Sequence, residues 1–146
     1  MTKKIKVKDF EKGRELLYHE SKPFTGIAVI TNDKGQTVSE GVYENGKRNG
    51  LFTYMQNETL DKVAEEYFSN HQLIKEIEDR PNGTKEYEKN YKNGEVHGWL
   101  IIYHDNGSEY YREKHENGYP VGEKIYSANP KSMDPKGTNT KTALVI

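Results

Sequence analysis

Cysteine is absent from the 146-residue sequence, which excludes both a disulfide framework and a thiolate zinc site. Long apolar runs are absent as well, and hydrophobic residues make up only 32% of the chain. That proportion is low for a domain with a deep two-layer core. The lysines within residues 1–8 are not followed by an apolar segment, so we expect a cytoplasmic protein without stable membrane insertion.

An excess of charge of either sign is also missing. The chain has 22 basic and 23 acidic residues, closely interspersed, and no basic stripe of the kind that binds nucleic acid. Phosphate-binding, dinucleotide-binding and nucleophile-elbow motifs do not occur. The carboxylates alternate with lysines, as on a solvated surface. The sequence therefore predicts a protein that is not an enzyme, needs no cofactor and does not bind nucleic acid.

The five histidines do not have the spacing of a helical zinc site. His19 and His115 occupy the repeat position that Tyr43 holds, so we interpret them as substitutes in an aromatic ladder. Only His104 and His115 could be brought together across a hairpin. We expect no metal site.

Tyrosine and glycine, by contrast, are abundant, with 11 and 13 copies, and they recur in units of 24 residues. The best-preserved units contain Asn-Gly and a second glycine four residues later. The third unit has Asn70 and Ile74 where the others have these two glycines. A fixed period of this length indicates stacked structural repeats. The units begin at His19, Tyr43, Tyr67, Tyr91 and His115.

Each unit carries two turn signals, which we expect to close β-hairpins. The first is Asn-Gly, ending at Gly46, Gly94 or Gly118, and the second is a glycine at position 35, 83 or 107. Asn-Gly favours a type I′ turn, in which both central residues need positive φ. Strands of about six to eight residues fit between the turns.

Consecutive hairpins place each strand beside its neighbour in the chain. The predicted fold class is therefore all-β, an elongated single-layer antiparallel β-meander of about ten strands built from 24-residue hairpin repeats. Residues 62–68 are rich in helix formers, but their phase in the repeat predicts a strand. We expect residues 1–15 to form a cap or edge segment, residues 16–126 to form five repeats, and residues 127–146 to be a linker or tail.

Two further expectations follow from the repeat positions. Rings at equivalent positions should line up across one face of the sheet. The second glycines, Gly26, Gly50, Gly98 and Gly122, should either let a ring lie against bare backbone or allow a bulge. The proposed ladder consists of Tyr43, Tyr67, Tyr91 and His115, with a parallel row of Val63, Tyr87 and Tyr111.

The pattern Tyr-x-Asn-Gly-x-x-x-Gly, followed by Trp or Leu and then an aromatic residue, resembles the variant MORN repeat of bacterial proteins. Residues 43–54 and 91–103 match best, and the resemblance covers residues 16–126. It implies a curved single-layer β-meander. Bacterial proteins built from such repeats include antitoxin or immunity partners of secreted toxins. The third unit departs from the pattern, so the resemblance implies no regular curvature there.

A single layer cannot bury both of its faces, so large side chains should form an exposed patch. Tyrosine and tryptophan are favoured anchors in protein interfaces, and acidic residues could form a rim against a basic partner. The candidate partner-binding residues are Phe52, Tyr54, Trp99, Tyr103, Tyr110, Tyr111, Glu109 and Glu113, with Glu116 as a further rim residue.

The predicted function is thus a non-enzymatic protein-binding repeat module, most concretely an antitoxin or immunity protein that binds and neutralises a bacterial toxin. The alternative is a scaffold that associates with membrane lipid or binds glycan. Balanced charge and the missing export signal favour the first hypothesis. The sequence identifies neither the partner nor the binding face, and exposed edge strands leave an edge-strand homodimer open.

Overall fold

The computed structural model describes residues 3–7 and 15–127, and in these ranges the chain forms strands and turns without an α-helix. The tail expected over residues 127–146 lies outside the described residues apart from Ser127. The strands are β1 (Lys4–Lys6), β2 (Tyr18–His19), β3 (Lys22–Pro23), β4 (Gly26–Thr31), β5 (Thr37–Glu44), β6 (Lys47–Met55), β7 (Lys62–Ser69), β8 (Gln72–Asp79), β9 (Lys85–Lys92), β10 (Glu95–Tyr103), β11 (Glu109–Glu116), β12 (Tyr119–Pro120) and β13 (Ile125–Tyr126).

The sheet order follows the chain from β4 to β12, with β13 also paired to β11, so the predicted antiparallel meander is confirmed. Residues 62–68 lie in strand β7, as their phase predicts. The exception to the antiparallel order is β1, a three-residue strand that pairs with β4 in parallel. Strands β2 and β3 form a separate two-stranded hairpin. The chain divides into two compact units, the first ending at Ile74 and the second starting at Lys75.

The Asn-Gly turns have the predicted conformation. Asn45 has φ 50° and Gly46 has φ 83°, and the pairs at 93–94 and 117–118 have nearly the same values. Positive φ at both central residues is the requirement of a type I′ turn. Its twist matches that of the strands it joins, which explains why this dipeptide closes hairpins here.

The second class of turn differs from the first. Its loops are longer, and only the glycine has positive φ, as at Gly35 with φ 78°. In that loop the Asn32 carbonyl accepts a hydrogen bond from Gly35 N, and Asn32 N donates to the Gln36 carbonyl. A tight turn followed by one left-handed residue is the usual form of such hairpin loops. Asn82-Gly83 and Asn106-Gly107 are therefore not type I′ turns, although their sequence suggests it.

The chain slips by one residue between the second and third repeats. The second-class loop of the second repeat runs from Gln56 to Asp61, one residue longer than its counterparts, and Leu60 has φ 62° where the others have glycine. The type I′ turn of the third repeat consists of Asn70 and His71, also one position late. A slip of one residue moves every side chain of a strand to the other face.

Because of this slip, the ladder of rings expected from the sequence is wrong in the first compact unit. Phe68, not Tyr67, lies opposite Gly50 on the face of Phe52, whereas Tyr67 lies opposite Leu51 on the other face. For the same reason Ala64, not Val63, lies opposite Tyr54. The ring stack of the first unit runs from Phe24 through Tyr43 and Phe52 to Phe68, with centroid separations of 6.5, 5.3 and 5.0 Å.

Phe52 lies at the centre of this stack because Gly41 makes room for it. Gly41 is paired with Phe52 across β5 and β6, and a Cβ at position 41 would overlap the Phe52 ring. The expected contact between ring and bare backbone therefore occurs, but at Gly41 as well as at Gly26, which lies against the Phe24 ring. At Gly50 and Gly98 the strand pairing is instead interrupted by an irregularity, the other predicted outcome.

Three of the type I′ turns, at 45–46, 70–71 and 117–118, are also hydrogen-bonded to the preceding repeat. Gly46 N donates to the Phe24 carbonyl, and the next residue, Thr25, accepts from Asn45 N through its hydroxyl. The same two bonds recur at other turns, which explains why an acceptor side chain precedes each of these repeat glycines. The carbonyl acceptors there are Arg48 and Val96, and the side-chain acceptors are Asn49 and His97.

Candidate functional site

The predicted partner-binding residues fall in both units, and we describe each unit by itself. In the first unit Phe52 is only 8% exposed, so its expected exposure is wrong: it belongs to the ring stack over Gly41. Tyr54 is half-buried, and its hydroxyl donates a hydrogen bond to Glu66. Burial, followed by that bond, raises the pKa of Tyr54 well above the ordinary tyrosine value. Both side chains thus stabilise the first unit.

In the second unit strand register assigns the predicted residues to two opposite faces. Trp99 is paired with Lys114, Ile101 with Arg112, and Ile102 with Tyr111. Since neighbouring residues of a strand point to opposite sides, Trp99 and Tyr111 cannot belong to one patch. We call the first surface the tryptophan face; it comprises Glu88, Trp99, Ile101, Tyr103, Glu109 and Arg112. The second is the tyrosine–carboxylate face; it comprises Glu76, Glu78, Tyr87, Lys89, Leu100, Ile102, Tyr111 and Glu113.

On the tryptophan face the charges are neutralised within the chain. Arg112 binds Glu109 through two nitrogens, at 2.9 and 2.6 Å, and its guanidinium lies 5.2 Å from the Trp99 ring. This bidentate bond raises the pKa of Arg112. Glu88 has Lys75 at 3.7 Å and Lys85 at 3.3 Å. Glu109 is therefore a partner of Arg112 rather than part of an acidic rim.

A bulge at Tyr110 creates that pair. The register of β10 and β11 shifts between Ile102 and Tyr103, so Tyr103 is paired with Glu109 and Tyr110 is the extra residue. Glu109 and Arg112 come to lie on one face despite their odd spacing. The Tyr110 ring, 36% exposed, packs 5.3 Å from Tyr111. It also lies 4.5 Å from His104 and 5.5 Å from Tyr126.

The tyrosine–carboxylate face has a different arrangement of charge. Glu76 and Glu78 of β8 both accept a hydrogen bond from the Tyr87 hydroxyl, each at 2.7 Å. Burial and these two carboxylates raise the pKa of Tyr87. A phenol carries a single proton and can donate to only one acceptor at a time. Glu76 also accepts a longer bond, at 3.5 Å, from the Tyr91 hydroxyl. The two carboxylates still have more acceptor positions than these phenols fill, which leaves acceptor capacity for a cation.

Two rows of paired residues cross this face. The first consists of Glu76, Lys89, Leu100 and Glu113, and the second of Glu78, Tyr87, Ile102, Tyr111 and Tyr126. Residues opposite each other in neighbouring strands lie about 4.5–5.5 Å apart. Leu100 and Ile102 therefore form an apolar centre, half-exposed, with carboxylates at both ends.

The rings of this face already hold cations of the chain itself. Lys89 Nζ lies 4.6 Å from the centroid of Tyr87, and Lys124 Nζ lies 4.5 Å from that of Tyr111. Both distances are within the range of a cation–π interaction. The face is chemically suited to ammonium and guanidinium groups.

His115 shares this face, as the ladder prediction requires, and only 9% of it is exposed. Its Nε2 lies 2.9 Å from Glu113, while Nδ1 has no hydrogen-bond partner. His104, the other member of the candidate metal pair, packs on Tyr110 instead, and burial lowers its pKa. No group of three or more His, Asp or Glu in residues 3–7 and 15–127 could hold a metal ion.

Several residues of this face were not among the predicted partner-binding residues, although Tyr87 was expected in the ring rows. Glu76, Glu78, Tyr87, Leu100 and Ile102 were missed as a group, although alternation in β8 and β9 was the available signal. Over the described part of the chain, no helix has the length and apolarity that membrane crossing requires. No family model, no curated protein and no solved structure matches this chain.

Proposed function

We propose that this chain is a non-enzymatic protein-binding repeat module that works by covering a surface of its partner. The observation that carries the proposal is the half-exposed aromatic and aliphatic surface of the second unit. Trp99 and Tyr103 on one side, and Leu100, Ile102 and Tyr111 on the other, are neither buried nor fully exposed. No described side chain falls below 2% exposure, so no strand has a fully closed core on either face.

Partly exposed aromatic residues on a rigid sheet are the usual anchors of protein interfaces. Such rings bind without a large loss of side-chain freedom, because here they are already held by paired strands and by hydrogen bonds such as those of Tyr87. The more specific form of the proposal is an antitoxin or immunity protein that neutralises a bacterial toxin. That form is supported by the resemblance of residues 16–126 to variant MORN repeats.

The first experiment identifies a partner. The intact chain is used as bait in lysate of its own host, and bound proteins are identified by mass spectrometry. Candidates are then purified, with inactivated variants where they are toxic, and titrated directly with the bait. A stoichiometric complex that protects cells from its partner's toxicity supports the antitoxin form. A folded bait that forms no direct complex with any purified candidate contradicts the proposal.

The second experiment tests whether a sheet face makes the contact. Trp99→Ala with Tyr103→Ala alters the tryptophan face, and Glu76→Gln with Glu78→Gln alters the other face. Each double variant is first checked by circular dichroism for an unchanged fold. Weaker partner binding by at least one of them supports recognition through a face. Unchanged binding by both contradicts it.

A further inference from the structure

The tyrosine–carboxylate face restricts the chemistry of the partner. Its carboxylates lie at opposite ends of an apolar centre, with Glu76 and Glu78 on β8 and Glu113 on β11. The tryptophan face lacks this property because Arg112, Lys75 and Lys85 already neutralise its carboxylates. Charge complementarity therefore favours the first face as the site for a basic partner.

Three strand spacings separate the two acidic ends. At about 4.8 Å per spacing, the distance between β8 and β11 is about 14 Å. An extended peptide rises about 3.3 Å per residue, so it covers that distance in about four residues. Its side chains at alternate positions point to the same side. A peptide laid across the strands would thus present residues i, i+2 and i+4 to the face.

The geometry points to an extended basic segment of a partner protein, with lysine or arginine at positions i and i+4 and an apolar side chain at i+2, bound across this face. One basic side chain binds Glu76 and Glu78 beside Tyr87, the apolar side chain packs on Leu100 and Ile102, and the other basic side chain binds Glu113. The inference rests on the proposed protein-binding function and adds the partner's chemistry.

The chain's own lysines support this assignment. Lys89 over Tyr87 and Lys124 over Tyr111 place ammonium groups on the two rings that the partner would contact. Both lysine side chains can swing aside, since a long flexible stem links each charge to the backbone. The partner's cations would take over contacts that these lysines make in the free chain.

The test uses a synthetic peptide with lysine, leucine and lysine at alternate positions, separated by threonines. Two control peptides replace lysine by glutamate or move the lysines to adjacent positions. Binding is followed by amide chemical shifts in the intact chain, up to ~5 mM peptide, a range that detects weak binding. We expect shifts at Leu100, Ile102 and Glu113, and at least threefold weaker binding of both control peptides.

The variant Glu76→Gln with Glu78→Gln should weaken binding of the lysine peptide about tenfold, since it removes both charges at one end. The matched control, Glu20→Gln with Glu58→Gln, removes the same charge from exposed turns outside the face. It should bind within about twofold of the original chain once salt screens long-range attraction.

Absence of shifts on this face at the highest peptide concentration would overturn the inference. Equal binding of the glutamate peptide, or equal weakening by both double variants, would overturn it as well. If the purified partner still binds and only the Trp99 and Tyr103 variant releases it, the inference fails and the proposed function stands. If neither partner nor peptide binds, both fail.

Discussion

The substitution Gly41→Ala should destabilise the first unit, although alanine is normally the better residue inside a strand. Gly41 lies in the interior of β5 and is not among the residues with positive φ. Reduced freedom of the unfolded chain alone would then favour alanine by about 0.5–1 kcal/mol. The structure predicts the opposite sign because the added Cβ would overlap the Phe52 ring.

The size of the loss in unfolding free energy follows from the contacts that the Phe52 ring would have to give up. Phe52 packs edge-to-face on Tyr43 at 5.3 Å and on Phe68 at 5.0 Å. Overpacking of a filled site costs about 1–3 kcal/mol, and each aromatic pair contributes about 0.5–1.5 kcal/mol. After the gain from the unfolded state is subtracted, we expect a net loss of about 2 kcal/mol.

Urea unfolding followed by far-ultraviolet circular dichroism measures this loss. The control is a double-mutant cycle with Phe52→Leu, which replaces the ring by a smaller, more flexible side chain. In the Phe52→Leu background, Gly41→Ala should lower the free energy of unfolding by less than about 0.5 kcal/mol or should raise it. A neutral or stabilising Gly41→Ala in the original chain would refute the packing of Phe52 over Gly41.

Three further predictions concern the second and third repeats. Leu60→Gly should raise the free energy of unfolding by about 1 kcal/mol in urea denaturation, since Leu60 has φ 62° in a loop where glycine is unstrained; lower stability would contradict this. Asn49→Ala should lower stability by about 1 kcal/mol in the same assay, because Asn70 N loses its acceptor; an unchanged midpoint would show that water replaces it. Burial and the charge of Arg48 lower the pKa of His71, whose Nδ1 accepts from Arg48 N. The folded state therefore binds fewer protons than the unfolded state, and this contribution is present above about pH 6.5 and lost as pH falls. The advantage of the original chain over His71→Asn should shrink between about pH 7.5 and 5.5, and a constant difference would exclude His71 as the titrating group.

The hairpin order could be predicted because turn chemistry is local. Asn-Gly at 45–46 fixes positive φ at both residues, and the fixed period repeats that restriction along the chain. The one-residue slip between the second and third repeats could not be predicted in the same way. Leu60 occupies a left-handed position normally held by glycine, and His71 takes the second turn position. At the turn, hydrogen bonds between His71 and Arg48 stabilise a conformation that the local sequence does not favour.

The candidate site could be predicted only in part, because side-chain alternation fails at bulges. Trp99 and Tyr103 share a face, as alternation requires. Glu109 was expected in an exposed rim, but the extra residue at Tyr110 turns it toward Arg112. Pairing between strands also depends on register, so the convergence of Glu76 and Glu78 on Tyr87 became visible only with the strands in place.

The most direct test is a calorimetric titration of the purified partner into the original chain and its two face variants. We expect a one-to-one complex with the original chain. Affinity should be about tenfold lower for Glu76→Gln with Glu78→Gln, and the loss should become smaller at high salt. A complex whose affinity is the same for the original chain and for both face variants would contradict recognition through the sheet faces.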